Sequence, residues 1–190
     1  MSYPNWFAMS AQYYFEKHLR PYVGDELNCL QIGAYTGDAT KWLFDNILTH
    51  PNSSLTDVDT WQGSDEPAHK ELDWLGVEAT YDEKVKEHLA SGRLIKKKMN
   101  SFDFFHQPIH KRFDFIYVDG DHKASSVLMD GINSLNVLSR GGILVFDDYT
   151  WSMQKGPAFD PKPAIDAIRL CYSDVLTTLE MEHQVWLQGN

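Results

Sequence analysis

A glycine loop between an apolar run and an amphipathic segment constrains the fold of this chain most. Residues 29–32 form a short, mainly apolar run bounded by turn residues, which predicts a buried strand. Gly33 and Gly37 follow directly, and glycine lets the backbone turn sharply and approach a ligand closely. Residues 38–48 carry apolar side chains at helical spacing. The unit therefore predicts a strand, a loop and a helix whose first unpaired amides can face a ligand.

Segments of strand character alternate with segments of helix character along the whole chain. The predicted strands are residues 29–32, 54–58, 93–99, 113–118, 142–146, 175–179 and 184–187. The predicted helices are residues 7–19, 38–48, 81–90, 123–138 and 164–172. This alternation implies an α/β fold with a mostly parallel sheet covered by helices on both faces. Only a few residues separate the last two strands, so we expect them to pair antiparallel at one edge.

The glycine loop is compatible with two kinds of ligand. A dinucleotide-binding loop requires the pattern G-x-G-x-x-G, because its second glycine lets the pyrophosphate lie against the backbone. Tyr35 occupies the position of that second glycine, so a pyrophosphate would meet a side chain. The loop favours a smaller ligand without a pyrophosphate, such as S-adenosylmethionine. A purely structural turn between a strand and a helix is the alternative.

The composition argues against several classes of protein. Asp and Glu number 27 against 17 Lys and Arg, and the formal net charge is −10, which opposes binding to nucleic acid or to acidic membrane surfaces. The chain has no apolar run of about 18 residues, the length that spans a membrane. Cys29 and Cys171 are too few for a disulfide framework. Together with an N-terminus unlike a signal peptide, they predict reduced core thiols in a cytoplasmic protein.

Acidic and polar residues at strand ends are candidates for binding the cofactor. Asp59 ends the second predicted strand, about twenty residues beyond the loop, where a carboxylate can accept hydrogen bonds from ribose hydroxyls. We favour Asp59 over Asp57 because Thr60 and Trp61 follow it at once. A solvated aspartate at a strand end is the alternative. Ser101, after the third strand, is a candidate for the adenine edge, although serine is also an ordinary turn residue.

Two further predicted strands end in carboxylates. Asp119 follows the fourth strand, and Asp147 and Asp148 follow the fifth. If these strands are parallel neighbours, their ends lie about 5 Å apart. Three carboxylates so close would repel one another in a low-dielectric cleft, and a hard divalent cation such as Mg²⁺, Mn²⁺ or Ca²⁺ relieves that repulsion. The alternative is that one or two of these aspartates cap turns or helix starts.

His122 is the candidate general base. It lies three residues after Asp119, at the start of the predicted helix that leaves the site. The ordinary pKa of histidine, about 6.5, allows proton transfer near neutrality. A surface or packing role is the alternative for a single histidine.

These motifs resemble those of a known enzyme family. Residues 32–37, Ile-Gly-Ala-Tyr-Thr-Gly, resemble motif I of class I S-adenosylmethionine-dependent methyltransferases. Residues 117–122, Tyr-Val-Asp-Gly-Asp-His, and residues 138–149 resemble the metal-dependent O-methyltransferases of the catechol, caffeoyl-CoA and macrocin types. The family often has a catalytic lysine where this chain has His122, and a glutamate where it has Gln31.

The resemblance implies a Rossmann-like methyltransferase fold with a seven-stranded, mostly parallel sheet and one antiparallel edge strand. We expect a single domain over residues 1–190, with an N-terminal helical segment (1–27) and an α/β core (28–190). The resemblance also implies Mg²⁺ or another divalent cation held by Asp119, Asp147 and Asp148. The expected cofactor contacts are Gly33, Ala34, Tyr35, Thr36, Gly37, Asp59, Thr60, Trp61, Ser101 and Asp119.

The sequence thus predicts an S-adenosylmethionine-dependent enzyme. The expected reaction is divalent-metal-assisted O-methylation of a small-molecule hydroxyl, on a sugar or a phenol, with His122 and Asp119 as catalytic residues. A metal-free methyltransferase, a nicotinamide-dependent oxidoreductase and a nucleotide-binding module without catalysis are the alternatives. We expect no nucleic-acid or membrane partner. The N-terminal helix is expected to be a plain core helix, and the alternatives are that it caps the cofactor or forms a homodimer contact.

Overall fold

A seven-stranded sheet forms the centre of the computed structural model, which describes residues 3–190. The strands are β1 (Asn28–Ile32), β2 (Ser54–Asp59), β3 (Leu94–Lys98), β4 (Phe113–Val118), β5 (Leu138–Phe146), β6 (Leu176–Met181) and β7 (Val185–Gly189). Their order across the sheet is β3-β2-β1-β4-β5-β7-β6, with β1 to β5 parallel and β7 antiparallel to both neighbours. The predicted seven-stranded, mostly parallel sheet is confirmed. Its antiparallel strand β7 lies one place inside the outermost strand β6.

Helices cover both faces of the sheet, as the alternation predicts. They are α1 (Gln12–Leu19), α2 (Asp38–Asn46), α3 (Trp74–Ala90), α4 (Ser101–Phe105), α5 (Ala124–Val137) and α6 (Lys162–Cys171). A π-helical turn, Phe7–Ala11, leads into α1. On one face α2 and α3 bury Leu43 and Val85 in the same core cluster as α1, and on the other face α5 and α6 bury Val127 and Ile165. Residues 1 and 2 of the expected N-terminal segment lie outside the described residues.

The boundaries of α3 differ from the prediction. This helix begins at Trp74, whereas the sequence predicts a start at residue 81. Its buried side chains Val77, Tyr81 and Val85 are spaced four apart and form one stripe against the sheet. A glycine and several charges among the first residues of the helix obscure this stripe in the sequence.

The short helix α4 was not predicted. Five residues are too few to show helical periodicity, and the local signal is a cap. The side chain of Asn100 accepts a hydrogen bond from the backbone amide of Asp103 at 2.8 Å, which satisfies an unpaired donor of the first turn. The cap sets the direction of the chain at the end of β3, beside the cavity described below.

Two expectations from composition have different outcomes. Cys29 is buried in the core, but Cys171 is exposed at the end of α6, so the expectation of two core thiols was wrong. Within residues 3–190, no helix combines the length and the apolar character that a membrane crossing requires.

The strand register brings four chain segments to one edge of the sheet. Ile32 is paired with both Val58 and Val118, and Val118 is paired with Phe146. The residues that follow these four positions therefore start at the same level. β2 and β3 follow β1 on one side of it, whereas β4 and β5 lie on its other side. The loops after β1 and β4 therefore lead away from each other, and a crevice opens between them. Open α/β sheets bind ligands at such a reversal of strand order.

A buried carboxylate lies beneath the glycine loop. Asp57 has no exposed surface, and its Oδ2 atom accepts hydrogen bonds from Thr40 Oγ1 at 2.6 Å and from the Tyr81 hydroxyl at 2.8 Å. Burial raises the pKa of Asp57 to about 7, against the two hydrogen bonds, which lower it. Asp57 therefore carries a proton in the folded protein through much of the acidic range.

We expect the free energy of unfolding of the wild type to fall as the pH rises, and we expect Asp57→Asn to lack this fall. Because the folded-state pKa lies above the ordinary 3.8, the folded state binds this proton more tightly. The free energy of unfolding then falls between about pH 4 and pH 7, by at most about 4 kcal/mol. Urea unfolding at about pH 5 and about pH 8 measures the effect, with the exposed Asp45→Asn as control. Identical pH profiles for the wild type and Asp57→Asn would contradict this assignment.

Candidate active site

A cavity of about 1010 Å³ opens at the edge of the sheet where β1, β2, β4 and β5 end. Its walls include the glycine loop, the ends of these strands, the first turns of α5 and the N-terminal π-helical turn. This volume can hold a nucleoside-sized ligand together with an acceptor. Seven of the expected cofactor contacts line it: Gly33, Ala34, Tyr35, Asp59, Thr60, Ser101 and Asp119.

Three other expected contacts lie behind the cavity wall. The Thr36 hydroxyl donates to Asp38 Oδ2 at 2.7 Å, and Gly37 packs closely against α3. Trp61 is 3% exposed, and its indole Nε1 donates to the Tyr35 carbonyl at 2.8 Å. These residues hold the loop from behind, because their side chains and close contacts face the core. A direct contact between them and a cofactor stays a prediction.

Asp59 shapes the glycine loop. Its Oδ2 atom accepts the backbone amides of Ala34 at 2.8 Å and Tyr35 at 2.9 Å, and its Oδ1 atom accepts the amide of Trp61 at 2.7 Å. A carboxylate has about four lone-pair positions, so these three bonds leave capacity for a ligand hydroxyl. The expected ribose contact is therefore compatible with a second role of Asp59 that the sequence did not predict.

Three carboxylates converge on the floor of the cavity. The Tyr117 hydroxyl donates to Asp119 Oδ2 at 3.0 Å and also contacts Asp147 Oδ2, but its single proton can serve only one of them at a time. Burial and repulsion from Asp147 raise the pKa of Asp119, and burial and repulsion from Asp148 raise the pKa of Asp147. Ionising all three carboxylates at once is therefore unfavourable in the absence of a further positive charge.

His122 bridges carboxylates from two parts of the chain. Its Nδ1 atom lies 3.1 Å from Glu66 Oε1, and its Nε2 atom lies 3.0 Å from Asp148 Oδ2 and 3.9 Å from Asp119 Oδ1. These contacts are electrostatic, since neither ring nitrogen has an aligned hydrogen-bond partner. Burial alone would lower the pKa of His122, but the three carboxylates outweigh it and hold the pKa well above its ordinary value. The ring is therefore charged in this state, whereas a general base must first be neutral.

Sequence reasoning missed Glu66, and the reason is local. Glu66 lies in the long connection between β2 and α3, and a single carboxylate in such a connection carries no pattern. Burial would raise the pKa of Glu66, but the contacts with His122 and Ser64 lower it. Glu66 thus faces His122 as a charged partner.

Sequence reasoning also missed His183, in the turn between β6 and β7. β7 runs antiparallel to β5, with Val185 opposite Phe146, so the turn lies beside the acidic pair that follows β5. His183 Nε2 lies 3.3 Å from Asp148 Oδ1 and 3.6 Å from Asp147 Oδ1. The contact with Asp148 raises the pKa of His183 against burial, which lowers it. The pairing of β7 with β5 brings this histidine to the site, and local sequence patterns do not show that long-range pairing.

The residues of the cavity floor fit a divalent cation. Donor atoms of Asp119, His122 and Asp148 all lie within 4.8 Å of one another, and so do donor atoms of Asp147, Asp148 and His183. Asp148 belongs to both groups. The Nε2 atoms of both histidines are buried without an aligned hydrogen bond, and carboxylate oxygen with imidazole nitrogen is a common donor set for divalent metals. The three expected carboxylate ligands are thus joined by two histidines.

The strand order and the glycine loop at the reversal point agree with the class I methyltransferase fold that the motifs predict. The model of a family described as "Methyltransferase domain" matches residues 30–149. The chain belongs to this family.

Solved structures share the fold at low sequence identity. An O-methyltransferase from Bacillus cereus, in complex with SAH, has a TM-score of 0.61 and 14% identity over 86% of this chain and 74% of that chain. The O-methyltransferase TomG from Streptomyces achromogenes, in complex with SAM, has a TM-score of 0.62 and 12% identity, over 100% of this chain and 91% of that chain. The N-methyltransferase NodS from Bradyrhizobium japonicum has a TM-score of 0.62 and 17% identity, over 97% of each chain. A search of curated proteins found no match.

Asp59→Ala should weaken the binding of S-adenosylhomocysteine by about 1–3 kcal/mol, because the ligand loses hydrogen bonds to a charged group. Isothermal titration calorimetry measures the affinity, and Asp45→Ala, on the exposed side of α2, is the control. Asp59 also orders the loop, so the unliganded melting temperature of each variant is measured as well. Unchanged affinity in Asp59→Ala would assign the ribose contact to another residue.

Proposed function

We propose that this chain transfers a methyl group from S-adenosylmethionine to a hydroxyl of a small molecule, with the help of a divalent cation. The observation that supports this proposal most is the convergence of Asp119, Asp147 and Asp148 on the cavity floor, next to the glycine loop. Burial and mutual repulsion raise the pKa values of Asp119 and Asp147, and a bound cation would relieve this repulsion.

The chain's own groups would hold the reactants in line. The loop at Gly33 and Ala34 would place the sulfonium donor, and the carboxylates Asp119, Asp147 and Asp148 would hold the cation. When bound, the cation would orient the acceptor hydroxyl and lower its pKa. The methyl group passes from sulfur to oxygen in one displacement, which leaves S-adenosylhomocysteine and one proton. Alignment of oxygen, methyl and sulfur supplies much of the rate in such a step.

The acceptor side of the cavity supports a neutral hydroxyl compound. Carboxylates are concentrated there, including Glu66 and Asp121, so an anionic acceptor would be repelled. Trp151 lies beside His122, with ring centroids 4.8 Å apart, and offers an aromatic face. A sugar or a phenol ring can pack against such a face, which supports the proposed substrate class.

His122→Gln should lower kcat by about 10²-fold at high pH, if His122 takes the acceptor proton. A base works only when neutral, and the pKa of His122 is held well above its ordinary 6.5. The wild-type rate should therefore rise with pH through a value above 6.5, and this rise should be absent from the variant. Rate profiles against pH test this, with the exposed His110→Gln as control. A variant that keeps both its rate and the wild-type pH profile would make His122 a bystander.

A chelation assay tests the proposed reaction. The enzyme is treated with a chelator, incubated with radiolabelled S-adenosylmethionine and a panel of sugars and phenols, and then resupplied with Mg²⁺ or Mn²⁺. We expect methyl transfer to stop in the chelator and to return with metal. Full activity in excess chelator would favour a metal-free methyltransferase. Binding of S-adenosylhomocysteine without turnover on any acceptor would favour a module without catalysis.

A further inference from the structure

The turn between β6 and β7 places one imidazole nitrogen at metal-ligand spacing from the acidic pair after β5. His183 Nε2 lies 3.3 Å from Asp148 Oδ1 and 3.6 Å from Asp147 Oδ1. A charge-assisted hydrogen bond would be shorter, about 2.7–2.9 Å. Donor atoms bound to one ion in a tetrahedral site, with bonds of about 2.0–2.2 Å, are about 3.3–3.6 Å apart. Both distances from His183 Nε2 are close to this spacing, and donor atoms of Asp147, Asp148 and His183 all lie within 4.8 Å of one another.

The position of His183 is built by the surrounding chain. The backbone amide of Tyr149 donates to the carbonyl of His183 at 2.8 Å, which joins the turn to the end of β5. His183 Nδ1 lies 3.1 Å from Thr150 Oγ1. A proton on Nδ1 donated to this hydroxyl leaves a lone pair on Nε2, which is buried without a hydrogen-bond partner. Histidines that bind metals are commonly oriented in this way by a partner of the other ring nitrogen.

His122 differs from His183 in the partners of its two ring nitrogens. Both of its nitrogens face carboxylates at about the same short distance, Glu66 at 3.1 Å and Asp148 at 3.0 Å. Neither nitrogen of His122 therefore has a neutral partner that would fix the lone pair on the other nitrogen. His183 has only one nitrogen facing carboxylates, and its other nitrogen has a neutral hydroxyl as partner. The geometry therefore favours His183 as the nitrogen ligand.

We propose that His183 binds the divalent cation together with Asp147 and Asp148, and that the site therefore selects a first-row transition ion over Mg²⁺. This inference rests on the proposed metal-assisted function. Mg²⁺ prefers oxygen ligands in near-ideal octahedral geometry, whereas imidazole suits ions such as Co²⁺, Ni²⁺ and Zn²⁺. The proposed site has mixed nitrogen and oxygen ligands, whereas the sequence predicts an all-oxygen site.

Direct metal binding tests the inference without an activity assay. Chelator-treated wild type, His183→Gln, Thr150→Val and the control His110→Gln are titrated with Co²⁺, followed by visible absorption, and with Mg²⁺, followed by calorimetry. We expect the wild type and the control to bind Co²⁺ more tightly than Mg²⁺. Thr150→Val should lower Co²⁺ affinity by about 10-fold or more, the usual effect of losing the partner that orients a ligand. His183→Gln should lower it at least as much, with a changed Co²⁺ spectrum and little change in Mg²⁺ affinity.

The outcomes separate this inference from the proposed function. Tight Co²⁺ binding by the wild type with the same affinity and spectrum in His183→Gln would overturn the inference and leave a metal-assisted reaction standing. Failure of the wild type to bind either ion would overturn both. Melting temperatures of the chelated proteins show whether each variant is folded. If His183→Gln does not fold, Thr150→Val decides the matter, because an unchanged Co²⁺ affinity in that variant overturns the inference.

Discussion

Gly33→Ala should abolish cofactor binding and lower the free energy of unfolding by more than about 4 kcal/mol. A Cβ atom at this position would lie 1.8 Å from the carbonyl oxygen of Asp119 and 2.5 Å from its carbonyl carbon. These are backbone atoms at the end of β4, so they cannot rotate away as a flexible side chain could. Gly33 also has a φ of +87°, which favours glycine. Either β1 and β4 separate at the cavity or the loop changes its path.

Gly141→Ala is the matched control for this prediction. Gly141 has a φ of +74°, close to that of Gly33, but a Cβ there would meet no atom within 4 Å. The control therefore carries only the backbone strain, about 1–2 kcal/mol. Urea unfolding and calorimetry with S-adenosylhomocysteine measure both effects. If Gly33→Ala were no less stable than Gly141→Ala and bound the ligand normally, the close approach of β1 and β4 at this point would be wrong.

The fold was largely predictable because its signals are local. The strand before Gly33 is apolar and short, the loop carries glycines, and α5 has a clear apolar stripe, so each element is visible in its own residues. α4 escaped because its signal is one cap at Asn100 and five residues. The place of β7 between β5 and β6 escaped for another reason. Pairing with β5 is a long-range contact, and local patterns say only that β6 and β7 are adjacent in the chain.

The candidate site was predictable where strand ends define it. Asp59 and Asp119 follow strands directly, so a parallel sheet brings them to one edge whatever the loops do. Glu66 and His183 reach the same place from a long loop and from a distant hairpin, and nothing in their sequence neighbourhoods encodes that contact. The raised pKa of His122 follows from its contacts with Glu66, Asp119 and Asp148, so the sequence could suggest a base but not its charge state.

Asp148 joins the two groups of potential metal ligands. Its Oδ2 atom lies 3.0 Å from His122 Nε2, and its Oδ1 atom lies 3.3 Å from His183 Nε2. Burial would raise the pKa of Asp148, but His122 and His183 lower it well below its ordinary value, so it stays ionised. Asp148 is also in the left-handed region, with a φ of +58°. Asparagine tolerates this conformation, so Asp148→Asn removes the charge with little backbone strain.

Under the proposed metal-assisted function, Asp148→Asn should lower kcat by about 10³-fold or more, since metal assistance supplies several kcal/mol and each 1.36 kcal/mol is about tenfold in rate. The affinity for S-adenosylhomocysteine should change little, because the expected ribose contact, Asp59, lies at the end of another strand, β2. Steady-state kinetics with Mg²⁺ or Mn²⁺, together with calorimetry, measure the two quantities, and Asp45→Asn is the control. A variant that loses cofactor affinity and rate together would have a disturbed fold. A folded variant that keeps metal-dependent turnover would show that the cation, if one acts, is not held by the acidic pair after β5.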